Sequence, residues 1–159
     1  MRRARSSRSR TTAALAAVLA GAALVVGAPA AAQPDPGGSY IQRVEEHGAR
    51  QRTLFVYSAS MQRVIPVAVL TPRNTGAPRP VLYLLAGAGG GDGGTLTWLD
   101  RTDVADFFAD KDVNVVLPLD GAVSYYTDWK QDDLVLGRNK WTTFLTRELP
   151  PIDDAALGT

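Results

Sequence analysis

From residue 40 onward the chain alternates short apolar runs with breaks rich in proline, glycine and polar residues. Residues 40–46 (YIQRVEE) alternate loosely, and residues 53–57 (TLFVY) and 62–70 (QRVIPVAVL) carry the β-branched and aromatic content of strands. Pro66 cannot donate to a ladder, which predicts an edge position or a bulge for its strand. Residues 71–80, with Pro72, Pro78, Pro80, Asn74 and Gly76, predict a turn. Residues 81–85 (VLYLL) are continuously apolar, the pattern of a strand covered on both faces, and residues 113–119 (VNVVLPL) repeat it. Between them Thr102 can cap a helix through Val104, Ala105, Phe107 and Phe108, with Asp103 and Asp106 in its first turns, where the helix dipole favours acids. Asn139 can cap a last helix over 140–149, stopped by Pro150-Pro151, whose Trp141, Phe144 and Leu145 share the spacing of a buried face. Strands first, then strand, glycine loop, helix, strand and helix, is the order of an α/β fold with parallel central strands.

The first 32 residues follow a different pattern. Arg2, Arg3, Arg5, Arg8 and Arg10 form a basic head with no acid; an uncharged, alanine-rich run over 11–26 follows, then Ala28-Pro29-Ala30 and Ala30-Ala31-Ala32. Basic head, short apolar stretch and small-residue exit are the parts of a secretory signal peptide, and 16 apolar residues fall short of the roughly 20 needed to span a bilayer. This predicts a signal peptide at 1–32 with cleavage near Ala30 or Ala32, export to the cell envelope or beyond, a flexible lead-in at 33–39, and a folded domain over 40–159. Removing the leader changes the charge. Lys+Arg falls from 17 to 12 against 16 Asp+Glu, so the formal +1 becomes −4, and a nucleic-acid partner loses its electrostatic basis. The chain has no cysteine, so no disulfide framework and no thiolate metal site. An exported domain of this kind is held by its core alone.

The glycine loop, residues 87–94 (GAGGGDGG), follows the 81–85 strand, where open α/β sheets bind ligands. Gly89, Gly91 and Gly94 satisfy G-x-G-x-x-G and Asp120 ends the next strand, yet residues 95–101 intervene before the predicted helix, so the helix terminus required at a dinucleotide pyrophosphate is missing. No Gly-Lys-Ser/Thr follows, which excludes a Walker loop. Two readings stay open: the oxyanion loop of an α/β-hydrolase, whose donors must sit about 3 Å from the developing charge, and a glycine turn with no ligand.

At this point the chain resembles a known family. RPVLYLLAG at 79–87, Trp98 after the loop, VVLP at 115–118, SYYTDW at 124–129 and KWTTFLTRELP at 140–150, with SASMQR at 58–63, are similar to the secreted mycolyltransferases of mycolate-bearing actinobacteria (the antigen 85 complex) and their esterase-like paralogues. The resemblance implies an α/β-hydrolase fold and acyl transfer through a serine ester by a Ser–Glu–His triad, without cofactor or metal. Its partners are an acyl-ester donor and a hydroxyl acceptor, mycolate and trehalose in the family. It places Ala88 at the backbone N–H of the oxyanion hole, and Ala86, Gly87, Gly89 and Trp98 beside the substrate. Ala86 and Gly89 stand where the family carries a sugar-binding Asp and Arg, so trehalose recognition is weakened and a different acceptor, or plain ester hydrolysis, is implied.

The nucleophile is not found in this sequence. No G-x-S-x-G occurs: Ser124 follows Gly121-Ala-Val, and Ser58 and Ser60 lack flanking glycines. The single histidine, His47, precedes the loop, whereas the family's histidine comes last, so it reads as a surface or turn residue. The expected architecture is therefore an incomplete α/β-hydrolase, the N-terminal part of its sheet, inactive alone and exposing an apolar strand edge. A non-catalytic cell-surface protein binding carbohydrate or matrix is the alternative. Asp128, Asp132 and Asp133 lack calcium-loop spacing and read as solvated loop acids. Tyr125, Tyr126 and Trp129 either line an acyl or sugar site or pack on the sheet.

Overall fold

A computed structural model of the protein describes residues 38–74, 76–91 and 97–159. The signal peptide and most of the lead-in expected over 1–39, and Gly93 and Gly94 of the glycine loop, lie outside the described residues. Five strands form one mixed sheet: β1 (Tyr40–Glu46), β2 (Gln51–Ser58), β3 (Arg63–Leu70), β4 (Val81–Tyr83) and β5 (Asn114–Pro118), in the order β1-β2-β3-β5-β4. β1, β2, β3 and β5 pair antiparallel in succession, and β4 joins β5 in parallel. All five predicted strands are present, and the mixed sheet with few helices is compatible with an α/β fold. Parallel pairing is confined to the β4–β5 pair.

Two strand expectations are corrected. Pro66 lies at neither an edge nor a bulge: it pairs in register with Phe55 in central β3. Its carbonyl accepts from the Leu119 N–H at 2.8 Å, so the side of the residue that would carry its N–H faces the chain leaving β5, beyond the ladder that ends at Val67↔Pro118. The missing donor therefore has no strand partner to forsake. The 81–85 segment is shorter and less covered than its apolar run predicts. β4 is three residues long, half-buried, and paired on one side only among the described residues, with Leu85 already exposed. β5, by contrast, is buried along its whole length, as a central strand requires.

The sheet has an apolar layer on each face. One joins Leu54, Val56, Ile65, Val67, Val69 and Val116 to Trp141, Phe144 and Leu149; the other joins Ala68, Leu70, Val115 and Leu117 to Val104 and the half-buried Phe108. Alternation along β3 and β5 sends successive side chains to opposite faces, which is how one strand feeds both layers.

The helices differ more from prediction. Before β5 there are two single turns, α1 (Trp98–Arg101) and α2 (Val104–Phe107). Thr102 ends α1: its hydroxyl donates to the Trp98 carbonyl at 2.6 Å while accepting the Val104 N–H at 3.2 Å. One side chain closes one turn and opens the next, which splits the expected helix, and Phe107 is left half-exposed. The C-terminal run comprises α3 (Trp141–Thr143), a π-helical turn (Phe144–Glu148) and α4 (Leu149–Leu157). It passes through Pro150-Pro151 rather than stopping there. The π turn closes by the Leu149 N–H donating to the Phe144 carbonyl, and the prolines then fall in the first turn of α4, where a missing N–H costs no intrahelical bond. Gly158, left-handed at φ 67°, ends α4. Asn139 does not cap this run: it is buried, and its carbonyl accepts the Trp141 indole N–H at 3.0 Å. The cap comes from the loop, where Asp128 accepts the Thr143 N–H at 3.1 Å and the Thr143 hydroxyl at 2.6 Å. Trp141 and Phe144 are fully buried and meet edge to face at 5.7 Å, the core role their spacing predicts.

Candidate active site

At the carboxyl ends of β4 and β5 two loops meet. After β4 the chain runs through Leu84, Leu85, Ala86, Gly87, Ala88 and Gly89 to Gly90; after β5 it runs through Leu119 and Asp120 to residues 121–126. The Val123 N–H donates to the Ala88 carbonyl at 2.9 Å, and the Gly90 N–H to the Gly87 carbonyl at 2.8 Å. Gly90 has φ +64°, and a Cβ built on it would stand 2.0 Å from the Ala122 nitrogen and 2.4 Å from its Cα. Only a residue without a side chain lets these backbones approach. Gly121 is constrained in the same way, at φ +109° with a built Cβ 2.6 Å from the Tyr126 ring. Two glycines thus serve the contact between the loops, and that much of the glycine-turn reading holds.

The second loop is strained. Val123, Tyr125 and Tyr126 adopt φ of 57°, 55° and 52°, left-handed conformations unfavourable for β-branched and aromatic residues. Ser124 locks them: fully buried, its hydroxyl donates to the Gly121 carbonyl at 2.6 Å and accepts the Tyr126 N–H at 3.1 Å, and its carbonyl accepts the Trp129 indole N–H at 3.0 Å. These bonds make Ser124 a loop brace. Tyr126 packs edge to face on Trp141 at 5.2 Å, while its hydroxyl accepts the Ala86 N–H at 3.1 Å and donates to the Asp120 carbonyl at 3.3 Å. Burial pushes its phenol pKa up, so it stays a neutral donor and acceptor.

Between the loops lies a cleft of about 350 Å³ lined by Ala86, Gly87, Ala88, Gly121, Val123, Tyr125 and Tyr126. No charged side chain is in this lining. The Ala88 N–H makes no hydrogen bond within the described residues, although its carbonyl is held by Val123. Ala86 differs: Tyr126 occupies its N–H. Gly87, Ala88 and Gly89 are exposed. Trp98 is 40% exposed and outside the cleft lining; its indole N–H donates to the Leu85 carbonyl at 2.9 Å, which ties α1 to the end of β4. Of the five residues singled out, Ala86, Gly87 and Ala88 share one wall, with Gly89 next in the chain and Trp98 behind it. Tyr125 and Tyr126 do both things open to them, since both line the cleft and Tyr126 also packs on the core. Trp129 serves as a donor to the loop.

The dinucleotide alternative loses its acid. Asp120 is paired with Arg63 at 2.8 Å and accepts the Gly121 N–H at 2.6 Å, and α1 is a single turn. His47 sits in the β1–β2 turn, where its Nε2 hydrogen-bonds the Thr53 hydroxyl at 3.0 Å. The loop acids are not merely solvated. Asp128 caps Thr143, Asp132 pairs with Arg138 at 3.0 Å, and Asp133 accepts the Val135 and Leu136 N–H groups at 2.8 Å. Burial alone would raise the Asp128 pKa, but the Thr143 bonds outweigh it and hold the carboxyl below its ordinary value.

Sequence reasoning missed two carboxylates. Glu148 on the π turn accepts the Ser58 hydroxyl at 2.6 Å and the Ser60 N–H at 2.9 Å, pinning the β2–β3 turn to the C-terminal helix. Asp153 on α4 is fully buried; one oxygen accepts the Tyr83 hydroxyl at 2.9 Å and the other has no partner. Burial pushes it up to about 7, with Asp154 adding to the push and Tyr83 opposing it. The SASMQR run held a hint of the Glu148 contact, but no local signal marked Asp153.

Residues 58–159 match the model of the Esterase family, nearly two-thirds of the chain. The chain belongs to the Esterase family. Curated relatives agree. The MPT51/MPB51 antigen of Mycobacterium tuberculosis (strain ATCC 25618 / H37Rv) is 40% identical over 102 residues, covering 64% of this chain and 31% of the relative. The MPT51 antigen of Mycobacterium leprae is 34% identical over 141 residues, 89% of this chain and 42% of the relative. The diacylglycerol acyltransferase/mycolyltransferase Ag85B of Mycolicibacterium smegmatis is 37% identical over 102 residues, 61% of this chain and 30% of the relative. This Esterase-family chain therefore spans between about a third and two-fifths of the length of the curated relatives it matches. Among its described residues no helix is long and apolar enough to cross a membrane.

Proposed function

We propose that this chain supplies the oxyanion side of an exported, serine-dependent acyltransferase or esterase, as the N-terminal part of an α/β-hydrolase domain. The observation that carries the reading is the Ala88 N–H. It stands on the wall of an apolar cleft at the carboxyl end of β4, with no acceptor among the described residues, and its peptide is fixed from the other side by Val123. A donor held in place before charge develops needs no reorganisation during reaction, which is what an oxyanion hole requires. The serine, its histidine and the acid come from sequence outside residues 1–159. The unpartnered side of β4 supports this, since that edge offers a further strand its pairing groups.

The cleft lining bears on the acceptor. With Ala86 and Gly89 where the family's charged sugar contacts stand, nothing charged faces a polyhydroxylated acceptor. A hydroxyl acceptor held by apolar contact, or water, fits better than trehalose, and a fatty acyl ester suits the same surface. The metal-free, cofactor-free mechanism follows from acyl transfer through a serine ester. The signal-peptide pattern of residues 1–32 supports export to the cell envelope. The non-catalytic alternative keeps one specific support: relatives named only as antigens match at 40%, beside 37% for those named as acyltransferases.

The test uses a protein extended by the downstream reading frame. Residues 1–159 alone hydrolyse no activated ester, whereas the extended protein does and is stopped by a serine-directed phosphonate. In the extended protein Ala88→Pro, which removes the N–H, lowers kcat by about two to three orders of magnitude, and Ala88→Gly, which keeps it, does not. Full activity in A88P, or phosphonate-sensitive turnover by residues 1–159, refutes the assignment.

A further inference from the structure

Residues 129–139 leave the loop that walls the cleft as a narrow hairpin and return to it. The stem closes where the Trp129 N–H donates to the Asn139 carbonyl at 2.8 Å, and the tip where Asp133 and Gly137 exchange N–H and carbonyl at 3.0 Å in each direction. Inside the tip the Asp133 carboxylate accepts the Val135 and Leu136 N–H groups, both at 2.8 Å. The Asn139 amide donates to the Leu136 and Gly137 carbonyls at 3.2 and 3.3 Å. Arg138 and Asp132 face each other through two guanidinium nitrogens. Most polar groups of the turn are satisfied within the turn itself. What it presents outward is apolar: Leu134 is 104% exposed and Val135 90%. Hairpin tips in water are ordinarily polar, and no contact within the described fold calls for two aliphatic side chains here.

We propose that this tip docks on a lipid surface, with Leu134 and Val135 as its anchors. An apolar phase penalises every unpaired N–H and carbonyl, whereas a protein partner brings donors and acceptors of its own. A turn that consumes its backbone donors internally and projects only aliphatic side chains is matched to the first. Two such side chains reach no deeper than the boundary between headgroups and acyl chains, which leaves Lys130 and Arg138, lower on the hairpin, at the headgroup level. The proposal rests on the hairpin and holds whether or not the neighbouring cleft performs acyl transfer.

The absence of cysteine makes the test direct, because V135C can be labelled at a single position with an environment-sensitive fluorophore. D110C, exposed between α2 and β5, serves as the control site. With phosphatidylcholine vesicles, emission from the label at 135 shifts to the blue and emission from the label at 110 does not. L134S in the V135C background moves the vesicle titration by roughly tenfold, the order of one leucine side chain transferred from water. Because Leu134 touches nothing that holds the fold, far-UV circular dichroism of L134S matches the parent. Equal responses at 135 and 110, or an L134S titration like the parent's, overturn the proposal. So does a blue shift that follows protein concentration without lipid, which would assign the tip to a second copy of the chain.

Discussion

Asp153 offers the sharpest test of how this fold is held. Its carboxyl is buried between α4 and β4, one oxygen on the Tyr83 hydroxyl and one on nothing, and burial raises its pKa from 3.8 to about 7. A carboxyl with a raised folded-state pKa holds its proton more tightly when folded. The native state is therefore unpenalised below about pH 4, and stability is lost as pH rises through about 7. With those two values the penalty at pH 5 is about 1.5 kcal/mol and at pH 8 about 4 kcal/mol, so stability falls by roughly 2.5 kcal/mol between them. Asp153→Asn keeps an acceptor for Tyr83 and removes the titration. Urea unfolding at pH 5 and pH 8 decides the matter: D153N gains on the parent by about 2.5 kcal/mol more at pH 8 than at pH 5, with an unchanged denaturant slope. A parent that becomes more stable from pH 5 to pH 8, or a D153N offset independent of pH, would refute a buried, proton-retaining carboxyl.

Two further substitutions test the loops. Gly90→Ala drives a Cβ into the Ala122 backbone at a positive φ and costs at least about 2 kcal/mol, whereas Gly87→Ala, whose Cβ meets nothing within 4 Å, stays within about 0.5 kcal/mol; urea midpoints of the pair separate backbone crowding from glycine content. Glu148→Ala strips the acceptor from the buried Ser58 hydroxyl and the Ser60 N–H, and is expected to cost about 1–3 kcal/mol in the same assay.

Local pattern was a good guide wherever a residue's role depends on its neighbours in sequence. The β-branched runs became strands, the i, i+3, i+4 spacing of Trp141, Phe144 and Leu145 became a core face, and the glycines after β4 marked the loop that walls the cleft. It failed where a partner distant in sequence decides the outcome. Pro66 reads as an edge residue until β5 is seen to end beside it. Pro150-Pro151 reads as a stop until the π turn sets both prolines in a first turn that needs no N–H from them. Asn139 reads as a helix cap until the Trp141 indole takes its oxygen.

The sequence by itself determined the strand order of events, the family resemblance and the absence of a G-x-S-x-G serine, because composition, spacing and motif are properties of the chain alone. Only the tertiary structure decided which backbone groups are spoken for. It gave the Ala86 N–H to Tyr126, left the Ala88 N–H facing the cleft, and buried the Asp153 carboxyl with one oxygen unpaired. Hydrogen-bond satisfaction and burial depend on segments up to 70 residues apart being brought within 3 Å, as for Tyr83 and Asp153, and no local pattern encodes that meeting.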